Sequence, residues 1–242
     1  VSGVFKPRMD ILPPAQQRLW PALRPAADLG FVLYGGTAVA LRLGHRASVD
    51  FDFFSERPLD RDAIRAAFPF VEQSALLQDK GNTWSLLAPY GDSERQQVKV
   101  SFFGALDFGR VGEPDFTDDW VLQVASFDDL MATKVKVILQ RAEAKDYRDV
   151  AAMVSAGVSL SHGLAAARRI FGPNFQPSES LKALVYFGDG DLNTLTAREK
   201  NILVHAVQAV RDLPEVTIIS KQLKGEWRER CVGISTAFQG SK

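Results

Sequence analysis

A single cysteine, Cys231, and three histidines leave this 242-residue chain without the means to form an intramolecular disulfide or a Cys/His zinc cluster. One thiol in so long a chain fits a reducing compartment. An excess of charge of either sign is missing too, since 29 basic residues balance 29 acidic ones. No global field therefore draws the chain to nucleic acid, and a polynucleotide partner would need a local patch. No apolar run approaches the roughly 20 residues that cross a bilayer, and the first residues show neither an apolar leader nor a twin arginine. The expectation is a soluble, cytoplasmic protein with no membrane partner. The Gly-Lys-Ser/Thr of a P-loop and the Gly-x-Ser-x-Gly of a nucleophile elbow are also absent.

What is present concentrates in residues 34–54, Tyr-Gly-Gly-Thr-Ala-Val-Ala-Leu-Arg-Leu-Gly-His-Arg-Ala-Ser-Val-Asp-Phe-Asp-Phe-Phe. Gly35 and Gly36 follow an apolar run and allow a sharp turn or a close approach of backbone to a ligand. Thr37 can cap the short helix that follows, whose free N–H groups form an anion site. Gly44 stops that helix, and a second apolar run carries Asp50 and Asp52. Two residues apart in a strand, both carboxylates leave one face while Phe51 and Phe53 leave the other. They stand about 6.6 Å apart along the strand, close enough to share two divalent ions about 3.5–4 Å apart. Between the two halves, beside His45, Arg46 can touch phosphate and Ser48 can tie the loop. A glycine turn beside a carboxylate pair, on a strand–helix–strand frame, outlines a nucleotide site.

The rest of the pattern supplies a frame. A helix is expected over residues 16–27, shortened by Pro21 and Pro25, then a strand at 30–34. A helix at 59–68 precedes strands at 71–77, 83–88 and 98–103, with turns at 79–82 and 89–92. Residues 107–119 read as a loop and 121–125 as a last strand. Beyond that, helices are expected at 127–141, 145–156, 160–171, 178–187 and 197–210, with glycine stops between them. Residues 223–242 read as a frayed helix or a tail. The fold class is therefore α/β (α+β), with a mixed sheet flanked by helices over residues 1–125 and a helical domain over 126–242.

One residue stands out of pattern. On the helix expected over 127–141, at about 100° per residue, Lys134 falls in the middle of the stripe formed by Phe127, Leu130, Met131, Val135, Val137 and Ile138. A buried ammonium needs a negative partner, either a protein carboxylate or a nucleotide phosphate. Asp146 lies on the inward face of the next helix, in its first turn, with Asp149 at the edge of that face. A Lys134–Asp146 ion pair joining two helices and a phosphate-holding role for Lys134 are compatible readings.

Gly35-Gly36-Thr37, Gly44-His-Arg-x-Ser48 and Asp50-Phe-Asp52 together resemble the signature of the DNA polymerase β-like nucleotidyltransferases. With Ala132-Thr-Lys134 and Arg141-Ala-Glu-Ala-Lys-Asp-Tyr-Arg-Asp149, the chain is similar to the AbiEii (DUF1814) toxin family of abortive-infection and type IV toxin–antitoxin systems, over roughly residues 10–190. The resemblance implies a polymerase β-like fold. It implies that Gly36 and Thr37, with Gly35, Arg46 and Ser48 beside them, hold the NTP phosphates. Asp50 and Asp52 would bind Mg²⁺, as two ions, with Mn²⁺ able to substitute. Lys134 would contact the triphosphate and Asp146 would complete the site. The implied activity is transfer of a nucleoside monophosphate from an NTP to tRNA or a protein, under control of a cognate antitoxin. One departure accompanies the resemblance. Many members of the wider superfamily carry a third metal-binding carboxylate on a later strand, where this chain has Ser101.

Overall fold

A computed structural model describes residues 2–89 and 97–226. The turn expected at 89–92 and the tail from Trp227 onward, with Cys231, lie largely outside the described residues. Eight strands form one mixed sheet in the order β1-β7-β8-β2-β3-β6-β5-β4. They are β1 (Val4–Phe5), β2 (Val32–Tyr34), β3 (Asp50–Phe54), β4 (Ala75–Lys80), β5 (Thr83–Pro89), β6 (Gln97–Phe103), β7 (Asp115–Thr117) and β8 (Gln123–Val124). The centre alternates in sense: β2 runs antiparallel to β3, and β3 parallel to β6.

Strand β3 shows why the sheet has two unlike faces. Phe51 and Phe53 are fully buried, while Asp50, Asp52 and Phe54 are only partly covered. The buried face packs aromatic on aromatic, with Phe53 and Phe102 at 5.6 Å, Phe31 and Phe102 at 5.1 Å, and Phe68 and Phe102 at 5.5 Å. Each such ring contributes about 1.5–3 kcal/mol on burial. This layer fixes the register of β3 against β6, because a slip by one residue would turn the phenylalanines outward and the aspartates inward.

The helices expected after residue 126 form as α5 (Phe127–Val137), α6 (Ala144–Ser155), α7 (Leu160–Phe171), α8 (Pro177–Val185) and α9 (Ala197–Ala209). Ahead of them lie α1 (Pro14–Leu19), α2 (Pro25–Asp28), α3 (Gly35–Leu43) and α4 (Arg61–Ala67). Ser126 caps α5 by accepting from the Asp129 N–H, so the helical half begins at once after β8. The buried apolar cluster runs without a break from Leu19 and Leu33 to Met153, Leu164 and Leu203, so both halves share it.

Several expectations change. The helix over 16–27 breaks into α1, a 3-10 turn at Trp20–Leu23, and α2, because prolines occupy the first turns of the later pieces. The strand expected at 71–77 starts only at Ala75, since Pro69–Gln73 forms a 3-10 turn. The first residues, for which no element is expected, and the expected loop at 107–119 contain β1 and β7, which pair parallel with each other; two- and three-residue strands carry no readable alternation. Residues 211–226 contain no helix. They return to the sheet half, where Ser220 bridges Arg110, Gly225 exchanges hydrogen bonds with the Gln123 amide, and Leu223 is fully buried.

The crossing of α5 and α7 depends on one small residue. A methyl group added at Gly163 would lie 2.1 Å from Cγ and 2.8 Å from Cβ of Met131. Gly163→Ala is therefore expected to cost about 1–3 kcal/mol through overpacking, despite the gain in helix propensity. Urea unfolding of both proteins measures it.

Candidate active site

The glycine turn is built where β2 feeds directly into α3. Gly35 has φ +76°, a conformation that suits glycine, and a Cβ there would lie 2.7 Å from Oδ2 of Asp52. At Gly36 a Cβ would meet Arg46 Nη2 at 2.2 Å and Asp149 Oδ2 at 3.3 Å. Both glycines therefore keep space open for side chains of the site. Thr37 does not cap α3. Tyr34 holds the N-cap position without a side-chain bond, and Thr37 lies inside the helix. Its hydroxyl instead contacts Ser48 Oγ at 2.7 Å and donates to the Asp50 carbonyl. Thr37 and Ser48 thus tie the turn to the start of the acidic strand, and the first N–H groups of α3 have no partner inside the helix.

Asp50 and Asp52 open on the same face of β3, as their spacing predicts, and both line a cleft of about 320 Å³. Burial pushes the Asp52 carboxyl up, and the neighbouring Asp50 pushes it the same way; Lys99, Lys134 and Arg141 only partly offset this. Lys99, opposite Asp50 in register, brings its ammonium to 3.9 Å from Asp50 Oδ2. Ser101 pairs with Asp52 in register, is fully buried, and bonds the Ser85 hydroxyl at 3.0 Å. No group of three or more His, Cys, Asp or Glu side chains gathers for a metal among the described residues.

Across the cleft stands the out-of-pattern lysine. Lys134 is buried and reaches both Asp146 Oδ1 at 2.7 Å and Asp149 Oδ2 at 2.6 Å. Asp146 also accepts from Arg141 Nε at 2.8 Å. Asp149 accepts from Arg46 through Nε at 2.7 Å and Nη2 at 2.9 Å, and meets His45 Nε2 at 2.8 Å. Burial alone would raise both carboxyls. The attraction of Lys134, with His45 and Arg46 at Asp149 and Arg141 at Asp146, outweighs it and holds both below the ordinary range. Lys134, Arg46, Arg141 and Lys145 bring four positive charges against the three negative ones of Asp146, Asp149 and Glu143, so the cluster keeps a surplus of one cation. Lys99 lines the rim beside Asp50, and Lys145 lines it paired with Glu143 at 2.8 Å.

The residues anticipated from sequence thus meet in one place: Gly35, Gly36, Thr37, Arg46, Ser48, Asp50, Asp52, Lys134 and Asp146 all line the cleft. Lys134 and Asp146 are joined directly, and Asp146 faces cations rather than the Asp50–Asp52 pair. Sequence reasoning missed Lys99, whose place is fixed by strand pairing alone, and it undervalued Asp149, which touches more of the site than Asp146. The inward spacing of Asp146 and Asp149 on α6 was the available signal for the latter.

Residues 18–212 match the family described as "Nucleotidyl transferase AbiEii toxin, Type IV TA system". The chain belongs to the AbiEii family. The matched span contains every cleft residue named above and leaves out β1 and residues 213–226. An uncharacterized protein of Aquifex aeolicus (strain VF5), aq_aa25, is 30% identical over 175 residues, covering 69% of this chain and 81% of that protein. A solved protein of H. pylori assigned as a nucleotidyltransferase shares the fold with a TM-score of 0.54 at 18% identity, covering 80% of this chain and 92% of that one. MenT4, the nucleotidyltransferase toxin Rv2826c of Mycobacterium tuberculosis H37Rv, has a TM-score of 0.54 at 15% identity, covering 79% and 82%. Both establish the nucleotidyltransferase fold for this AbiEii chain. No helix among the described residues is long and apolar enough to cross a membrane.

The carboxylates of this AbiEii site have opposite effects on stability. Asp149, held low in the folded state, stabilises the fold above the ordinary carboxyl range of about 3.9. That contribution fades as pH falls toward its folded value. Asp149→Asn is therefore expected to cost about 3 kcal/mol at pH 7, by leaving Lys134 and Arg46 short of a counter-charge, with the difference from wild type shrinking below pH 4. Asp52, held high, destabilises the fold once ionised, so Asp52→Asn is expected to unfold later than wild type at pH 7 in EDTA. Chemical denaturation at pH 3 to 7 measures both.

Proposed function

We propose that the cleft binds an NTP and transfers its nucleoside monophosphate to an acceptor hydroxyl, as the catalytic centre of a type IV toxin. The carrying observation is the facing of two unlike walls: the Asp50–Asp52 pair on β3, and the cation-rich Lys134 cluster on α5 and α6. The acceptor hydroxyl gives its proton to water as its oxygen forms a bond to the α-phosphorus, the bond from that phosphorus to the bridging oxygen breaks, and pyrophosphate leaves with the electron pair. The turn at Gly35, Gly36 and Thr37 places the phosphates against the free N–H groups of α3. Lys134, Arg46 and Arg141 supply fixed positive charge where negative charge grows on the leaving group, with no reorganisation needed at that moment.

Asp50 and Asp52 fit Mg²⁺, with Mn²⁺ as a substitute. They are hard oxygen donors on one face, and Asp52 lacks enough positive charge around it to keep its ordinary acidity. Mg²⁺ is characteristically held by one or two carboxylates together with phosphate oxygens and water, so the pair suffices without a third acid at Ser101. When bound, Mg²⁺, as two ions, would polarise the phosphoryl group and neutralise charge on the triphosphate. Lys99, beside Asp50, limits the repulsion within the acidic pair before nucleotide arrives. The family supports a toxin of a type IV system with a cognate antitoxin as partner; the acceptor proposed for it is tRNA or a protein. Ser101 supports a second reading, an NTP-binding module with little transfer: it is buried against Ser85, at the position where the resemblance to many members of the wider superfamily implies an acid.

Incubation of the protein with each α-labelled NTP, Mg²⁺ and either total tRNA or a protein fraction separates these readings. Wild type is expected to release pyrophosphate and label one acceptor, and Asp50→Ala/Asp52→Ala to do neither. Lys134→Ala should lower the rate by about 10²–10³-fold. NTP binding without label in any acceptor would favour the binding module.

A further inference from the structure

The cleft face of the two central strands changes chemistry along its length. Strand β3 presents Asp50, Asp52 and then Phe54, while β6, paired with it in register, presents Lys99, Ser101 and then Phe103. Phe54 and Phe103 stand directly opposite each other, both line the cleft, and both stay partly exposed. By contrast Phe51, Phe53 and Phe102, on the other face, are fully buried. Phe54 is also held firmly. It stacks on the buried Tyr34 ring at 4.7 Å and 11°, meets Phe103 edge-on at 5.2 Å, and meets Phe108 at 6.4 Å.

This end of the cleft has room for a flat apolar group. Phe54 follows Asp52 by one strand repeat, about 6.6 Å, which leaves space for a ribose between a phosphate at the acidic end and a ring at the aromatic end. Val137 of α5 lines the same cleft. Hydrogen-bonding groups suited to a base edge are scarce: among the described residues, no Asn, Gln or His lines the cleft. The Thr133 hydroxyl donates to the Leu130 carbonyl, and Arg141 is drawn to Asp146. Bases are told apart chiefly through paired donors and acceptors on their edges, which this wall does not offer.

We infer that Phe54 and Phe103, set edge to face, form the aromatic platform against which the nucleobase of the NTP packs, so that the site selects by ring area rather than by base edge. It therefore accepts all four NTPs, with purines ahead of pyrimidines. The inference rests on the reading of the cleft as an NTP site.

Calorimetric titration of the full chain, in Mg²⁺, with ATP, GTP, CTP, UTP and inorganic tripolyphosphate tests it. The four NTPs should bind wild type within about tenfold of one another, since base–aromatic stacking tolerates every base. Phe103→Leu and Phe54→Leu should weaken every NTP about tenfold or more yet leave tripolyphosphate unchanged, and Phe103→Trp should keep NTP affinity. Tripolyphosphate binding also reports whether each variant still folds its site, and Phe103→Leu carries the test if Phe54→Leu loses it. The platform is overturned if Phe103→Leu binds NTPs as wild type does, or if one base exceeds the others by more than about a hundredfold, as edge readout would give. Wild type binding neither NTP nor tripolyphosphate would instead remove the nucleotide site itself.

Discussion

The buried ion cluster around Lys134 is the constraint on which the architecture of the site depends. A lysine in an apolar helix face is stable only if carboxylates meet it there, and both that do, Asp146 and Asp149, come from α6. Asp149 in turn holds Arg46 and His45 from the segment between α3 and β3. One carboxylate therefore links the helical half of the chain to the glycine turn and the acidic strand.

The cluster also explains how a chain without net charge can present an anion site. Its cations outnumber its carboxylates, and those cations lie on the cleft side. Asp50 and Asp52 supply the opposite sign across the gap, where Asp52 is disfavoured as an anion. An NTP with a divalent cation, the ligand proposed above, would complement both walls at once. The glycines at 35 and 36 matter for a steric reason, because a Cβ at either would enter the space used by Asp52, Arg46 and Asp149.

Some features were readable from local pattern. The Asp50–Asp52 pair was, because strand period alone puts both on one face, and the phenylalanines between and beyond them show which face is core. Lys134 was, because a charge inside a 3.6-residue apolar stripe has one physical meaning. The short strands β1 and β7 were not, since two or three residues carry no period and exist only through each other. The return of residues 211–226 to the sheet was equally silent, being held by backbone groups of Arg110 and the amide of Gln123.

Local pattern specifies the kinds of group the site contains, the family resemblance that orders them, and the face on which each lies. Local periodicity and backbone sterics are properties of neighbouring residues, so they can be read from neighbours. The tertiary structure alone decided which charges meet. It gave Lys134 to two aspartates rather than one, made Asp149 the hub, turned Thr37 from a helix cap into a tie to Ser48 and Asp50, and brought Lys99 beside Asp50. Those pairings join residues far apart in the chain, and the energy that selects them comes from burial and strand register rather than from any stretch of sequence.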